Sequence, residues 1–193
     1  MTFVRPSADF RELLAPELTG WRMVGRGGFH WTPPGVLESH GGPGLFWYVN
    51  EVFDDFILDV GWRTTRPDDN SGVFLRCPPL RDSLNPAIEQ GYEVQIDDRG
   101  FDPATRRCGS ALHLTGAVYR LAPAVPGLSQ PVGEWNRFVI TARAQSIDVM
   151  LNGSAAAHLE GGLRARSGHL ALQCHHEGSA VQFRHVAIKP LAL

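Results

Sequence analysis

The chain has 193 residues, is 43% apolar and carries a formal charge of −2. That is enough apolar material for one sizeable core, with no basic excess to neutralise a phosphate backbone. Nowhere do eighteen apolar residues run together, so neither nucleic acid nor membrane is expected as a partner. The opening MTFVRPSADF lacks a continuous apolar segment and a small-residue cleavage site. Cys77, Cys108 and Cys174 are odd in number and show no C-x-x-C spacing. A cytoplasmic protein with reduced, buried thiols is expected.

In chain order, the first predicted element is a helix. SADFRELLAPEL places Phe10, Leu13 and Leu14 at i, i+3 and i+4, and Pro16 ends the pattern. Everything after it reads as strand and turn. Phe56, Leu58, Val60 and Trp62 alternate with Ile57, Asp59, Gly61 and Arg63, and the turn-rich TRPDDNSG follows. SGVFLRC predicts a strand with Val73, Leu75 and Cys77 on one face and Gly72, Phe74 and Arg76 on the other, halted by Pro78 and Pro79. In GYEVQIDDRG, Tyr92, Val94 and Ile96 point one way, so Glu93, Gln95 and Asp97 point the other. Phe138, Ile140 and Ala142 mark a further strand. The run of Ile147, Val149 and Leu151 leads into Asn152-Gly153, the dipeptide that a type I′ hairpin turn favours because both centres need positive φ. HLALQCH and AVQFRHVAIKPL close the chain as two strands separated by a turn at His176-Glu177-Gly178-Ser179. With 21 Gly and 14 Pro as punctuation, the pattern predicts an all-β protein: an antiparallel two-sheet sandwich of jelly-roll type, residues 1–193 forming one domain with a short N-terminal extension.

After a weak opening, eight segments in order carry a resemblance. Weak at Phe10, Leu13, Leu14, Leu18 and Gly20-Trp21, it strengthens at Phe53 to Phe56, at Asn70-Ser71-Gly72-Val73-Phe74-Leu75-Arg76 and at Gly91-Tyr92-Glu93-Val94-Gln95-Ile96. It continues through Thr115-Gly116-Ala117-Val118-Tyr119, Gly133-Glu134-Trp135-Asn136, Asn152-Gly153, Leu172-Gln173 with His175, and Val181 with Phe183-Arg184. The chain resembles the 3-keto-disaccharide hydrolase-like domain family over nearly its whole length. That resemblance implies a concanavalin-like jelly roll and a sugar site on its concave sheet. Cys174 departs from it, standing where the family commonly has Asp, and His185-Val186 replaces the usual Asn-Ile.

Glu93, Gln95 and Asp97 on one strand, Arg76 on another and Gln173 with His175 on a third offer polar side chains to a single face. Sugars are held by such groups together with aromatic rings, for which Trp47, Tyr48, Phe74, Tyr119 and Trp135 are candidates. The remaining histidines, His113, His158, His169, His176 and His185, have no metal-ligand spacing.

The resemblance implies a chemistry in which a ketone at C3 acidifies the C2 proton, a base removes it, the aglycone leaves C1, and water adds back. Glu93, Asp97 and His175 are then the candidate catalytic residues, while Asn70, Arg76, Gln95, Gln173, Tyr119 and Trp135 are the candidates for holding the substrate. Arg76 or a bound cation would serve as electrophile. No cofactor is established by the sequence, but Glu93, Asp97, Asp98 and His175 could together supply ligands to a divalent cation. A non-catalytic, lectin-like carbohydrate-binding module on the same fold is the alternative.

Overall fold

A computed structural model describes residues 9–192. Two antiparallel sheets pack face to face. Sheet 1 has eight strands. The path runs β11 (Ser154–Leu159), β10 (Ser146–Leu151), β9 (Asn136–Arg143), β6 (Phe56–Thr64), β13 (Val181–Pro190), β4 (Val36–His40) and β3 (Gly28–Thr32), and β1 (Arg11–Glu12) also pairs with β13. Sheet 2 runs β2 (Trp21–Gly25), β5 (Gly44–Tyr48), β12 (His169–Cys174), β7 (Ser71–Cys77) and β8 (Tyr92–Ile96). The sandwich is therefore as the alternation predicts, and it includes four strands, β2 to β5, in a stretch where the sequence pattern is silent.

The interior is filled by the apolar stripes of both sheets. Leu58, Val60 and Trp62 of β6 and Phe138 and Ile140 of β9 meet Val73 and Leu75 of β7, Val94 and Ile96 of β8, and Leu170 and Leu172 of β12. At Asn152-Gly153 the β10–β11 hairpin turns with φ of 53° and 86°, as a type I′ turn requires.

The predicted N-terminal helix is absent. Residues 11–12 form a strand instead, and Ser7 and Ala8 of the predicted segment lie outside the described residues. The Glu12 carboxylate is the physical reason: it accepts the backbone N–H groups of Leu13, Leu14 and Val186, which ties the segment to β13 rather than to its own next turn. The single α-helix among the described residues is α1 (Asn85–Gln90), which packs on β7 and β8.

Arg76 corrects a second expectation. Its backbone adopts φ of 53°, so strict alternation ends there and the β7–β12 register shifts. Cys77 consequently packs with Phe74, Leu80 and Ala87 outside the sandwich rather than with Val73 and Leu75 within it. The Arg76 side chain is fully buried. Its guanidinium donates to Asp54 O through Nε (3.0 Å) and Nη2 (2.7 Å), to Ala144 O through Nη1 (2.7 Å), and to the Asp55 carboxylate at 3.2 Å. It staples two loops to sheet 2 and presents nothing to a ligand.

All three cysteines are free thiols; Cys77 and Cys174 are buried as expected, whereas Cys108 is exposed.

Replacing Arg76 with Ala leaves two buried carbonyls without donors and removes a charged partner, so Arg76→Ala should lower unfolding free energy by about 3 kcal/mol. Urea denaturation measures this; a loss under about 1 kcal/mol would contradict the staple role.

Candidate active site

The outer face of sheet 2 is divided in two. Toward β2 and β5 it is roofed, with Val24, Leu45, Trp47, Phe74 and Ala171 packing beneath Leu80, Leu84 and Ala87 of the 78–90 segment. Toward β8 it is open and floors a cleft of about 480 Å³. Asn70, Glu93, Gln95, Gln173 and His175 line it from the sheet side; Pro43, Ile88, Phe101, Pro103, Tyr119 and Arg120 line it from α1 and the loops.

Register explains the grouping. Gly72 pairs with Gln95 and Phe74 with Glu93, while Val73 pairs with Leu172 on the other side of β7. Side chains of Glu93, Gln95 and Gln173 thus emerge on one face around a glycine. A Cβ at Gly72 would collide with Glu93 Oε1 and lie 2.8 Å from Glu93 Cγ, so the absent side chain is the notch that holds this carboxyl. With its amide nitrogen turned toward them, Gln95 donates to Glu93 Oε1 and to Ser71 O, both at 3.1 Å.

Glu93 is 9% exposed. Burial pushes its carboxyl up to about 8, and the positive charge of Arg164 only partly opposes this. Arg164 itself clamps the end of α1, with Nη1 donating to Ile88 O (2.9 Å) and Gly91 O (2.7 Å).

Asp97 plays a different part. It has no solvent exposure, and its carboxylate accepts hydrogen bonds from Asn70 Nδ2 (3.1 Å), Phe101 N (3.1 Å), Arg99 N (3.0 Å) and Arg99 Nε (3.3 Å). It orients Asn70 and folds back the loop that carries Phe101, and it does not line the cleft itself. The wall opposite is fixed by backbone pairing to β8: Gln95 N donates to Ala117 O (3.0 Å) and Tyr119 N to Glu93 O (2.8 Å).

His175 stands at the mouth as an exposed residue. The packing around it and then the neighbouring His176 hold it below the usual histidine range, and the two Nδ1 atoms are 2.9 Å apart. Asn70 Oδ1 and Gln173 Oε1 are buried and accept no hydrogen bond from the protein. Both belong to residues that line the cleft, and such acceptors match hydroxyl donors.

Of the residues proposed from sequence, Glu93, Gln95, His175, Asn70, Gln173 and Tyr119 meet in the cleft, and Asp97 stands behind it. Arg76 and Trp135 do not. Trp135 immediately precedes β9 of sheet 1, and the guanidiniums of Arg63 and Arg184 lie over its ring at 4.7 and 4.5 Å. The other aromatic candidates are core: Tyr48 packs between the sheets, and Trp47 and Phe74 pack under α1. The four residues considered for a cation do not converge. Asp98 bonds instead to Thr115 and Ser129 in a separate depression, and among the described residues no three His, Cys, Asp or Glu side chains are grouped to hold a metal. Sequence reading missed Ile88, Phe101, Pro103 and Arg120. For the last three, the 39-residue connection between β8 and β9 was the available signal, since a connection that long is commonly functional.

A model of the 3-keto-alpha-glucoside-1,2-lyase-like domain matches residues 9–189. The chain belongs to this family. A 3-keto-disaccharide hydrolase of Bacteroides thetaiotaomicron is 25% identical over 136 residues, covering 61% of this chain and 47% of the relative, so the match spans about half the relative's length. A Parabacteroides distasonis protein provisionally named a glycosyl hydrolase superposes with a TM-score of 0.76 at 23% identity, over 94% of this chain and 99% of its own. A carbohydrate-binding module of Bacillus subtilis gives 0.60 at 13% identity, over 89% and 96%. These two likenesses show the fold. In this member of the lyase-like family, Cys174 lies outside the cleft lining, its Sγ donating to Arg26 O at 3.3 Å.

Because Glu93 holds its proton more tightly folded (about 8) than unfolded (4.5), its burial costs nothing below pH 4.5 and progressively more as pH rises to 8. Glu93→Gln should therefore raise unfolding free energy by about 3 kcal/mol at pH 7, with the gain vanishing at pH 4. Urea denaturation at both pH values checks the sign; a pH-independent difference would refute the linkage.

Proposed function

We propose that the cleft binds a 3-keto-glycoside and cleaves it by elimination followed by hydration, with net hydrolysis. The observation that carries this reading is the Glu93 carboxyl, buried in the Gly72 notch and pushed up to about 8. A site that only binds a neutral sugar has no use for a carboxyl kept at such cost, whereas a base is most effective with a pKa near the working pH. Family membership supports the substrate class.

The ionised Glu93 carboxylate takes the proton from C2. The C–H electron pair forms a C2=C3 bond and places charge on the ketone oxygen. His175, kept neutral by its surroundings, can donate a hydrogen bond there, as a neutral imidazole does best when its pKa is depressed. The enolate then reforms the ketone and expels the C1 oxygen. The Tyr119 phenol, held protonated by burial and then by the charge of Glu93, gives its proton to the departing alcohol. In the second half-reaction the Tyr119 phenolate takes a proton from water, hydroxide adds at C1, and Glu93 returns its proton to C2. Asn70 and Gln173 accept from the ring hydroxyls, Gln95 orients Glu93, and Arg120 gives the wall the positive charge that Arg76 cannot supply.

With aglycone release from a 3-keto-glucoside as the assay, Glu93→Gln should reduce turnover by at least about 100-fold. Wild-type kcat/KM should rise about tenfold per pH unit and level off near pH 8, the value at which Glu93 ionises. Sugar binding without turnover by the wild type would instead identify a lectin-like module.

Gly72→Ala tests the notch separately. Its methyl group displaces the Glu93 carboxyl, so the variant should fold and lose turnover by about the same factor as Glu93→Gln. Full activity would show that the notch does not position the base.

A further inference from the structure

Arginine charges reach three of the groups that line the cleft, and two of those arginines are engaged elsewhere. The charge of Arg164 is felt at Glu93, and its guanidinium donates to the carbonyls of Ile88 and Gly91. That of Arg99 is felt at His175, and its guanidinium donates to Asp97 at 3.3 Å. Arg120 lines the cleft itself, and its charge is felt at the Tyr119 phenol. Among the described residues the Arg120 guanidinium has no hydrogen-bond or ion-pair partner. Asp102, whose charge also reaches Tyr119, is taken up locally: it accepts from Ala104 N and Thr105 Oγ1, both at 2.9 Å, and faces His113 at 3.8 Å. The place of Arg120 is set from its backbone. Its N–H donates to Leu112 O at 2.9 Å, the N–H groups of Leu121 and Ala122 both close on Val118 O, and Arg120 holds φ of 62° within that turn. Left-handed backbone at a residue with a side chain is costly and persists only where the surrounding bonds impose it, so the guanidinium is carried by a rigid base.

We infer that Arg120 receives a carboxylate on the leaving group of the substrate, so that acidic aglycones are preferred; the inference rests on the reading of the cleft as a 3-keto-glycoside site. If the Tyr119 phenol protonates the departing oxygen, the residue beside it meets the aglycone. A guanidinium offers donors only, in a planar fork that a carboxylate fills with two charge-assisted bonds. The hydroxyls of a neutral second sugar would gain weaker bonds from it, and their own protons would find no acceptor there. The rest of the polar lining carries no charge that would repel an anion at pH 7. Asn70, Gln95 and Gln173 are amides, Tyr119 is held protonated by burial, Glu93 keeps its proton up to about 8, and His175 is held neutral by its surroundings, at about 4. Arg120 is therefore the one charge in the cleft lining, and it is positive.

The experiment compares the 4-carboxyphenyl and 4-carbamoylphenyl 3-keto-glucosides, whose leaving groups are nearly equal in size and differ in charge, at pH 7 and low salt. The carbamoyl group withdraws electrons more strongly than the carboxylate, so intrinsic reactivity favours the neutral substrate. Wild-type kcat/KM should nonetheless be about tenfold higher on the carboxylate, the low end for a hydrogen bond to a charged group, and the ratio should fall as added salt screens the charge. In Arg120→Asn, whose new side chain tolerates left-handed backbone, the ratio should drop to one or below, whatever happens to the two rates themselves. Arg120→Lys keeps the charge without the fork and should retain only part of the preference; it also serves if Arg120→Asn does not fold. A wild-type ratio of one or less, or a ratio unchanged in either variant, overturns the carboxylate subsite while leaving the elimination chemistry standing. If neither compound is turned over, the catalytic reading fails, and calorimetric binding of the two unoxidised glucosides then decides the subsite. Tighter binding of the carboxylate, weakened in the variants, upholds it; equal binding, or none, overturns it.

Discussion

The Asp97 carboxylate sits out of contact with solvent at the end of β8, and both sides of the cleft are tied to it. One oxygen accepts from the Asn70 side chain and the Phe101 backbone, and the other accepts from Arg99. A buried charge is tolerated only when such bonds compensate its lost hydration, so β7, β8 and the long loop after β8 must take these relative positions together. The open half of sheet 2 therefore has a wall at a defined distance from its floor. The 97–135 connection is held along β8 by this carboxylate together with backbone bonds, among them that from Tyr119 N to Glu93 O.

Glu93 illustrates the opposite arrangement. Where Asp97 is surrounded by donors, Glu93 has a single amide and a distant guanidinium to offset its burial. Desolvation wins, and the proton stays on at neutral pH. Two acids four residues apart on one chain thus sit in opposite surroundings, and in the proposed mechanism only Glu93 reacts. The conformational stability given up at Glu93 fits the general observation that reactive sites are locally unfavourable and are carried by well-packed surroundings. Here those surroundings include the Arg76 staple and the apolar cluster beneath α1.

Much of this was legible in the chain. The period-two alternation of residues 92–96 placed Glu93 and Gln95 on one face, and Asn152-Gly153 specified its hairpin, because both depend on covalent geometry that neighbours alone impose. The same reasoning failed at Arg76, where a single left-handed residue breaks the alternation and sends the guanidinium to carbonyls 22 and 68 residues away in sequence. It failed at residues 10–14, where Glu12 finds a better set of donors by bridging to Val186 than a helix would offer. It failed too at Trp135, expected to hold the substrate, which lies just before β9 of the other sheet beneath the Arg63 and Arg184 guanidiniums.

Local sequence thus determined the class of fold and the strand faces, including the one on which Glu93 and Gln95 stand together. Sheet membership, the Gly72 notch, the return of the 97–135 loop and the place of Ile88 in the cleft wall were decided only in three dimensions, since each arises from contacts between separate segments of the chain. Whether a polar residue is a wet surface group, a staple or a reactive group depends on how much water those distant segments remove from it. No local pattern encodes that quantity.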